Sequence, residues 1–149
     1  MNPFKFNLFI ILKLPIAFIA GLRLKEINSE KAVIQVKLHW LNQNPFKSMF
    51  WAVQGMAAEL STGVICITKI KESNIKISML VIEQNAIFTK KAKGKITFTC
   101  TQGKLIDEVI YKAINTQQPQ TLWLESKGFD EQNAQVAHFK FLWSFKANI

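Results

Sequence analysis

Glu59 is the side chain in this 149-residue chain with the clearest chemical potential. It closes a row formed by Ser48, Ala52 and Gly55, so that the four sit at i, i+4, i+7 and i+11. At 100° per residue the row follows the edge of an apolar stripe, Met49, Val53, Met56 and Leu60, as one buried helix face requires. Small side chains leave room for a ligand to lie along such a helix. A lone carboxylate at the end of that groove is a candidate general base. A structural acid paired with a lysine elsewhere is the other reading, and the residues alone leave both open. Ser48 also stands at a natural N-cap position, because the Asn44-Pro45 step discourages helix just before it.

The remaining reactive residue types are sparser. Lys90, Lys91, Lys93 and Lys95 crowd one loop, which is either a solvated turn or a place where an anionic group is attracted. His39 and His138 fall on alternating segments with no ligand partner. Asp107 and Glu108 read as the polar face of a short helix, not as a catalytic pair. Cys66 and Cys100 are the two cysteines, each in an apolar-patterned segment, and read as reduced core residues of a cytoplasmic protein. No zinc site can be assembled from two cysteines and two histidines so widely spaced.

The net charge is +9, and all but one of the 19 basic residues are lysines, Arg23 being the exception. Bidentate recognition of bases and phosphates favours arginine, and no basic helix or ladder of exposed aromatics is present, so nucleic acid is not an expected partner. A hydrophobic content of 49% argues against disorder and for some surface being buried in an oligomer.

These residues need a scaffold, and its elements are legible. Phe6 to Leu22 is nearly all apolar behind Lys5. Lys13 and Pro15 interrupt it, no Ala-x-Ala site follows, and it is short for a membrane span. Two accessory helices over 3–12 and 15–21, packed on the domain, are expected, with membrane-surface contact or a cleaved signal as alternatives. Alternation over 22–27 and 32–40 around the Asn28-Ser29-Glu30 turn predicts a hairpin. The central helix runs from Ser48 to about Thr62 or beyond, through Ile70. Strand patterns follow at 77–82 and 86–88, as one strand or two, and at 95–101. A short helix over 105–113 is next, then strands at 121–126 and 136–145 around an Asp130–Asn133 turn. With no repeat, low-complexity tract or linker, residues 1–149 read as a single domain, 1–21 as its helical N-terminus and 22–147 as the core. The class is α+β, with a long antiparallel sheet curling round one central helix.

At this point the chain resembles the hotdog superfamily, which includes many acyl-CoA thioesterases, and most closely an uncharacterised thioesterase-related branch of it. The resemblance spans about 15–147. It rests on Asn42 and Asn44 before the helix, Ser48 where the family often has Thr, and the Ala57-Ala58-Glu59 run. It also rests on Ile87 to Gly94 as an apolar strand with a basic loop, and on Asp130-x-x-Asn133-x-x-Val136-Ala137 in the last hairpin. It implies a homodimer or homotetramer in which an acyl-CoA or acyl-carrier thioester lies at the subunit interface beside the central helix. By the same resemblance Glu59 is base or nucleophile, the 46–50 backbone polarises the carbonyl, and Asn44 and Ser48 orient water or substrate. Phe50, Ala52 and Gly55 would line the acyl group, and Lys90, Lys91 and Lys93 would meet the coenzyme A phosphates. No cofactor is implied beyond the coenzyme A carried by the substrate. Two departures stand out: Lys47 replaces a family glycine, and Phe50-Trp51-Ala52 replaces a His-Gly pair. Together with the apolar N-terminus they define the rival expectation, a non-catalytic binder of acyl or lipid-like ligands that could meet a membrane surface through residues 4–20.

Overall fold

In the computed structural model, residues 2–148 are described. Helices α1 (Pro3–Lys13) and α2 (Pro15–Ile19) precede the hairpin β1 (Arg23–Ile27) and β2 (Ala32–Lys37). The long helix α3 (Trp51–Ser73) follows, then β3 (Ile77–Phe88), β4 (Lys95–Cys100), α4 (Gly103–Thr116), β5 (Gln120–Phe129) and β6 (Gln135–Ala147). The six strands form one sheet in the order β1-β2-β4-β5-β6-β3, and every neighbouring pair is antiparallel.

Period-two alternation produces the sheet. Ala32, Ile34 and Val36 are buried on β2, and Ile96, Phe98 and Cys100 on β4. The concave face so formed holds α3, which touches β2, β4, β5 and β6. α3 buries Val53, Leu60, Val64 and Ile65 against it. Four such side chains contribute on the order of 10 kcal/mol as an upper bound. α3 ends at Asn74, whose left-handed backbone (φ 57°) caps the helix as expected for Asn at this position.

The two edges of the sheet differ. Along β1, the Asn7 side chain accepts from the Leu24 N–H (2.9 Å) and donates to the Leu24 carbonyl (3.2 Å), so α1 stands in for a further strand. Phe6 and Ile10 of α1 are fully buried beneath it. At the other edge β3 runs for 12 residues with one side paired to β6.

Two expectations change in detail, and one left open is resolved. β3 is one strand; Ile82 is a bulged residue between Val81 and Glu83, which keeps both halves in register. β2 stops at Lys37, because Asn42 folds a 3-10 turn over Trp40–Asn42 and its amide binds the Lys37 and Ala20 carbonyls, both at 2.9 Å. Ser48 is not the N-cap of α3. Phe50 is, without a side-chain cap, because the Met49 N–H is bound to the Ala92 carbonyl (2.8 Å) and holds the chain extended.

Candidate functional site

The loop before α3 is built around Asn44. Its Oδ1 accepts from the Phe46 N–H (2.9 Å) and the Ser48 N–H (3.2 Å), and its Nδ2 donates to the Ser48 hydroxyl (3.0 Å). The turn closes further through Asn44 N–H to the Ser48 carbonyl at 2.7 Å. Lys47 sits in it at φ 60°. That left-handed backbone is one glycine adopts freely and a side chain adopts at a cost.

The loop, the first turn of α3, Phe88 and the Lys90–Ala92 segment line an open cavity of about 720 Å³. With no side-chain cap, the first N–H groups of α3 keep unfilled donor capacity, and the helix dipole makes this end positive. Gln54 lines the same cavity and is itself buried. Its Nε2 donates to the Met49 carbonyl (3.3 Å), while its Oε1 has no partner. A buried carbonyl oxygen without a donor costs about 1–3 kcal/mol, so this acceptor is free for a ligand or water to use. Gln54 was not found by sequence reasoning; the available signal was a polar residue interrupting the buried side of the helix between Val53 and Ala57.

The sequence-derived residues do not all gather in one place. Asn44, Ser48, Phe50, Lys90 and Lys91 line the cavity. Lys90 is tied to Asp130 (2.6 Å), which holds the Asp130 carboxyl below the usual range, and Lys91 lies 5.8 Å from the Phe46 ring centroid. Lys93 is exposed beyond the lining. Ala52 borders a second hollow of about 360 Å³, with Ile16 and Ile19 of α2. Gly55 faces the Phe139 ring of β6.

Glu59 lies eight residues past the helix start, about 12 Å along the axis at 1.5 Å per residue. It is absent from the lining of the first cavity. Gly55 before it faces Phe139 and Gly63 after it faces Trp143, so this face of α3 overlies β6, next to the free strand β3. The carboxyl group is exposed on one side, yet partial loss of water on the protein side raises its pKa. Among the described residues no lysine pairs with it. The buried lysine, Lys69, instead binds both oxygens of Asp107 at 2.8 Å, which joins α3 to α4.

Other reactive groups have structural roles. His39 Nδ1 accepts from the Leu41 N–H (3.2 Å) at the 3-10 turn. His138 pairs with Glu125 at 2.7 Å on the sheet face away from α3, since Ala137, Phe139, Leu124 and Ser126 beside them are the buried positions. Cys66 and Cys100 are free and buried, and burial pushes the Cys100 thiol up to about 11. Among the described residues no cluster of three or more His, Cys, Asp or Glu side chains could hold a metal.

Solved structures share this architecture, and it is the hotdog fold. A Pseudomonas aeruginosa protein described as a "Probable Thioesterase" aligns with a TM-score of 0.84 at 20% identity, over 99% of this chain and 97% of its own. A Haemophilus influenzae thioesterase aligns at 0.75 with 12% identity, over 99% and 92%. The Escherichia coli PaaI protein of the phenylacetic acid degradation operon aligns at 0.67 with 14% identity, over 95% and 89%. This chain belongs to the DUF4442 family, described as a domain of unknown function, whose pattern matches residues 5–144. No curated protein matches the chain in sequence.

Proposed function

We propose that this protein hydrolyses acyl thioesters, with the carbonyl held at the N-terminus of α3 and Glu59 as the base. The observation that carries the reading is the uncapped first turn of α3 opening into a cavity beside Asn44 and Ser48. A thioester oxygen placed there would meet backbone N–H donors and the positive end of a 23-residue helix as it becomes an oxyanion. The recurrence of thioesterases among proteins of this fold supports the same chemistry.

In one chain Glu59 does not line that cavity, so the reading requires a second copy. The outer side of β3 supports one, because this edge strand of twelve residues has no partner strand on that side and exposes Leu80, Ile82 and Ile87. Two β3 strands paired antiparallel would set the α3 helices in opposite directions. Glu59 of each copy would then approach the α3 N-terminus of the other. Glu59 takes a proton from water, the oxygen adds to the carbonyl carbon, and the tetrahedral adduct breaks its C–S bond. The thiolate recovers the proton, leaving an acid and a thiol. Lys91 and Lys93, with Lys90 shared with Asp130, offer cations for the phosphates of coenzyme A.

The test is thiol release from a panel of acyl-CoAs of increasing length. Glu59→Gln should lower the rate by about 10²–10⁴-fold. Equal rates for variant and wild type would overturn the assignment. The aromatic pair Phe50 and Trp51 at the entrance, with ring centroids 6.2 Å apart, favours a second reading in which acyl ligands are bound and not turned over. A rise in melting temperature with acyl-CoA and no thiol released would select it.

A further inference from the structure

α1 is apolar on two opposite faces. Phe6 and Ile10 face the core and are fully buried. Phe4, Leu8, Ile11 and Leu12 fall within an arc of about 100° on the other side. All four are exposed, Phe4 by 79%. Ile16 and Ile19 of α2, one turn apart and also exposed, add to the apolar surface. A helix needs one apolar face to fold, so the second marks a contact surface.

The charges select what covers it. Residues 1–25 contain Lys5, Lys13, Arg23 and Lys25 and no Asp or Glu. Lys5 borders the outward arc, and the hollow beside it holds Lys71 together with Glu72. A second copy docked face to face through α1 would set these cations against their own equivalents. Anionic lipid headgroups would meet them with phosphate, worth about fivefold in binding per lysine near the surface. Trp40, 80% exposed beside Leu41, is a side chain of the kind that settles at headgroup level. Among the described residues no helix is long and apolar enough to cross a membrane, so contact would be in the plane of the interface. We infer that the outward face of α1 and α2 docks this protein on an anionic membrane surface. This goes beyond the thioester reading and does not depend on it.

The test is flotation of the full chain with vesicles of phosphatidylcholine, with and without phosphatidylglycerol, at low and high salt. Wild type should float with the anionic vesicles, and salt should reduce the bound fraction. Leu8→Glu combined with Leu12→Glu should abolish flotation while leaving the melting temperature close to wild type, since both side chains already face water. Lys5→Gln should weaken binding roughly fivefold. These point variants avoid deleting Phe6 and Ile10, which belong to the core. Wild type that stays at the bottom with anionic vesicles overturns the inference, as does a Leu8/Leu12 variant that floats equally well. If size-exclusion chromatography shows the Leu8/Leu12 variant in a smaller assembly and no vesicle binding by wild type, a second copy covers the face and the inference fails.

Discussion

Replacing Gly55 with alanine separates the packing of α3 from the use of its outward face. Gly55 lies inside a helix and its φ is not positive, so it gains nothing from glycine's conformational freedom. Glycine there costs about 0.5–1 kcal/mol relative to alanine. An added Cβ would lie 3.6 Å from the Phe139 ring and 4.0 Å from that of Trp51, ordinary contact distances that ask nothing to move. Gly55→Ala should therefore stabilise the protein by roughly 0.5–1 kcal/mol, raising Tm by about 1–4 °C for a chain of this size. Gly63→Ala is the control on the same helix, since its Cβ would meet Trp143 at 3.7 Å with equal ease. The two differ in activity if an acyl chain lies along Ala52, Gly55 and Glu59. A methyl group in its path would cost about 1–3 kcal/mol, or 10–200-fold in kcat/KM, for long chains and not for acetyl. Calorimetry and thiol release across an acyl-CoA series read both effects. A fall in Tm for Gly55→Ala would refute the packing, and equal loss for Gly63→Ala or for acetyl-CoA would refute the groove.

Glu59 should leave a pH signature. A base must be ionised, so kcat/KM should rise with pH through a Glu59 pKa above the usual carboxylate range, and Glu59→Gln should remove that limb. Stability should move the opposite way: as pH rises the unfolded chain loses the Glu59 proton first, the folded chain binds the extra proton, and stability falls across the window. Glu59→Gln should accordingly gain in Tm over wild type above that window and not below it, and an unchanged difference across pH would discard the desolvation. At the α3–α4 contact, Asp107→Ala leaves the Lys69 ammonium buried without its partner. That should cost about 2 kcal/mol, less than a fully buried pair because Asp107 is partly wet. Lys69→Met combined with Asp107→Ala should recover most of it, as read by urea midpoints.

Much of the fold was legible because the periods are clean. Alternation on β2, β4, β5 and β6 and the 3.6-residue period of α3 follow from one face of each element packing on the other. The N-cap of α3 lies two residues past the Ser48 that local sequence favours, for a reason local sequence does not contain. Met49 is held by the Ala92 carbonyl and bridged to Gln43, both pairings set by tertiary structure. The polar run Glu83-Gln84-Asn85 leaves one strand or two open in the sequence; an edge strand tolerates polar residues and the bulge at Ile82 restores register. Lys47 marked a departure at a family glycine, and the backbone there still adopts the left-handed conformation. The exchange altered the side chain and kept the turn, closed by Asn44. Gln54 went unread because an unpaired carbonyl oxygen is a fact of packing, not of residue type.

The proposed second copy would account for both the separation of Glu59 from the Asn44–Ser48 cavity and the asymmetry of the sheet edges. If one chain held a complete site, the helix carrying Glu59 would have to bend, or the loop before it would have to fold back along about 12 Å of its length. Neither occurs: α3 is continuous, and the loop is closed by its own hydrogen bonds. If both sheet edges were surplus, both would be covered, as Asn7 covers β1. β3 instead stays open beside β6, the strand whose Phe139 and Trp143 bracket the Glu59 face of the helix. An edge left unprotected carries an aggregation risk, and the proposed second copy would cover it while bringing the partly desolvated Glu59 to the facing site.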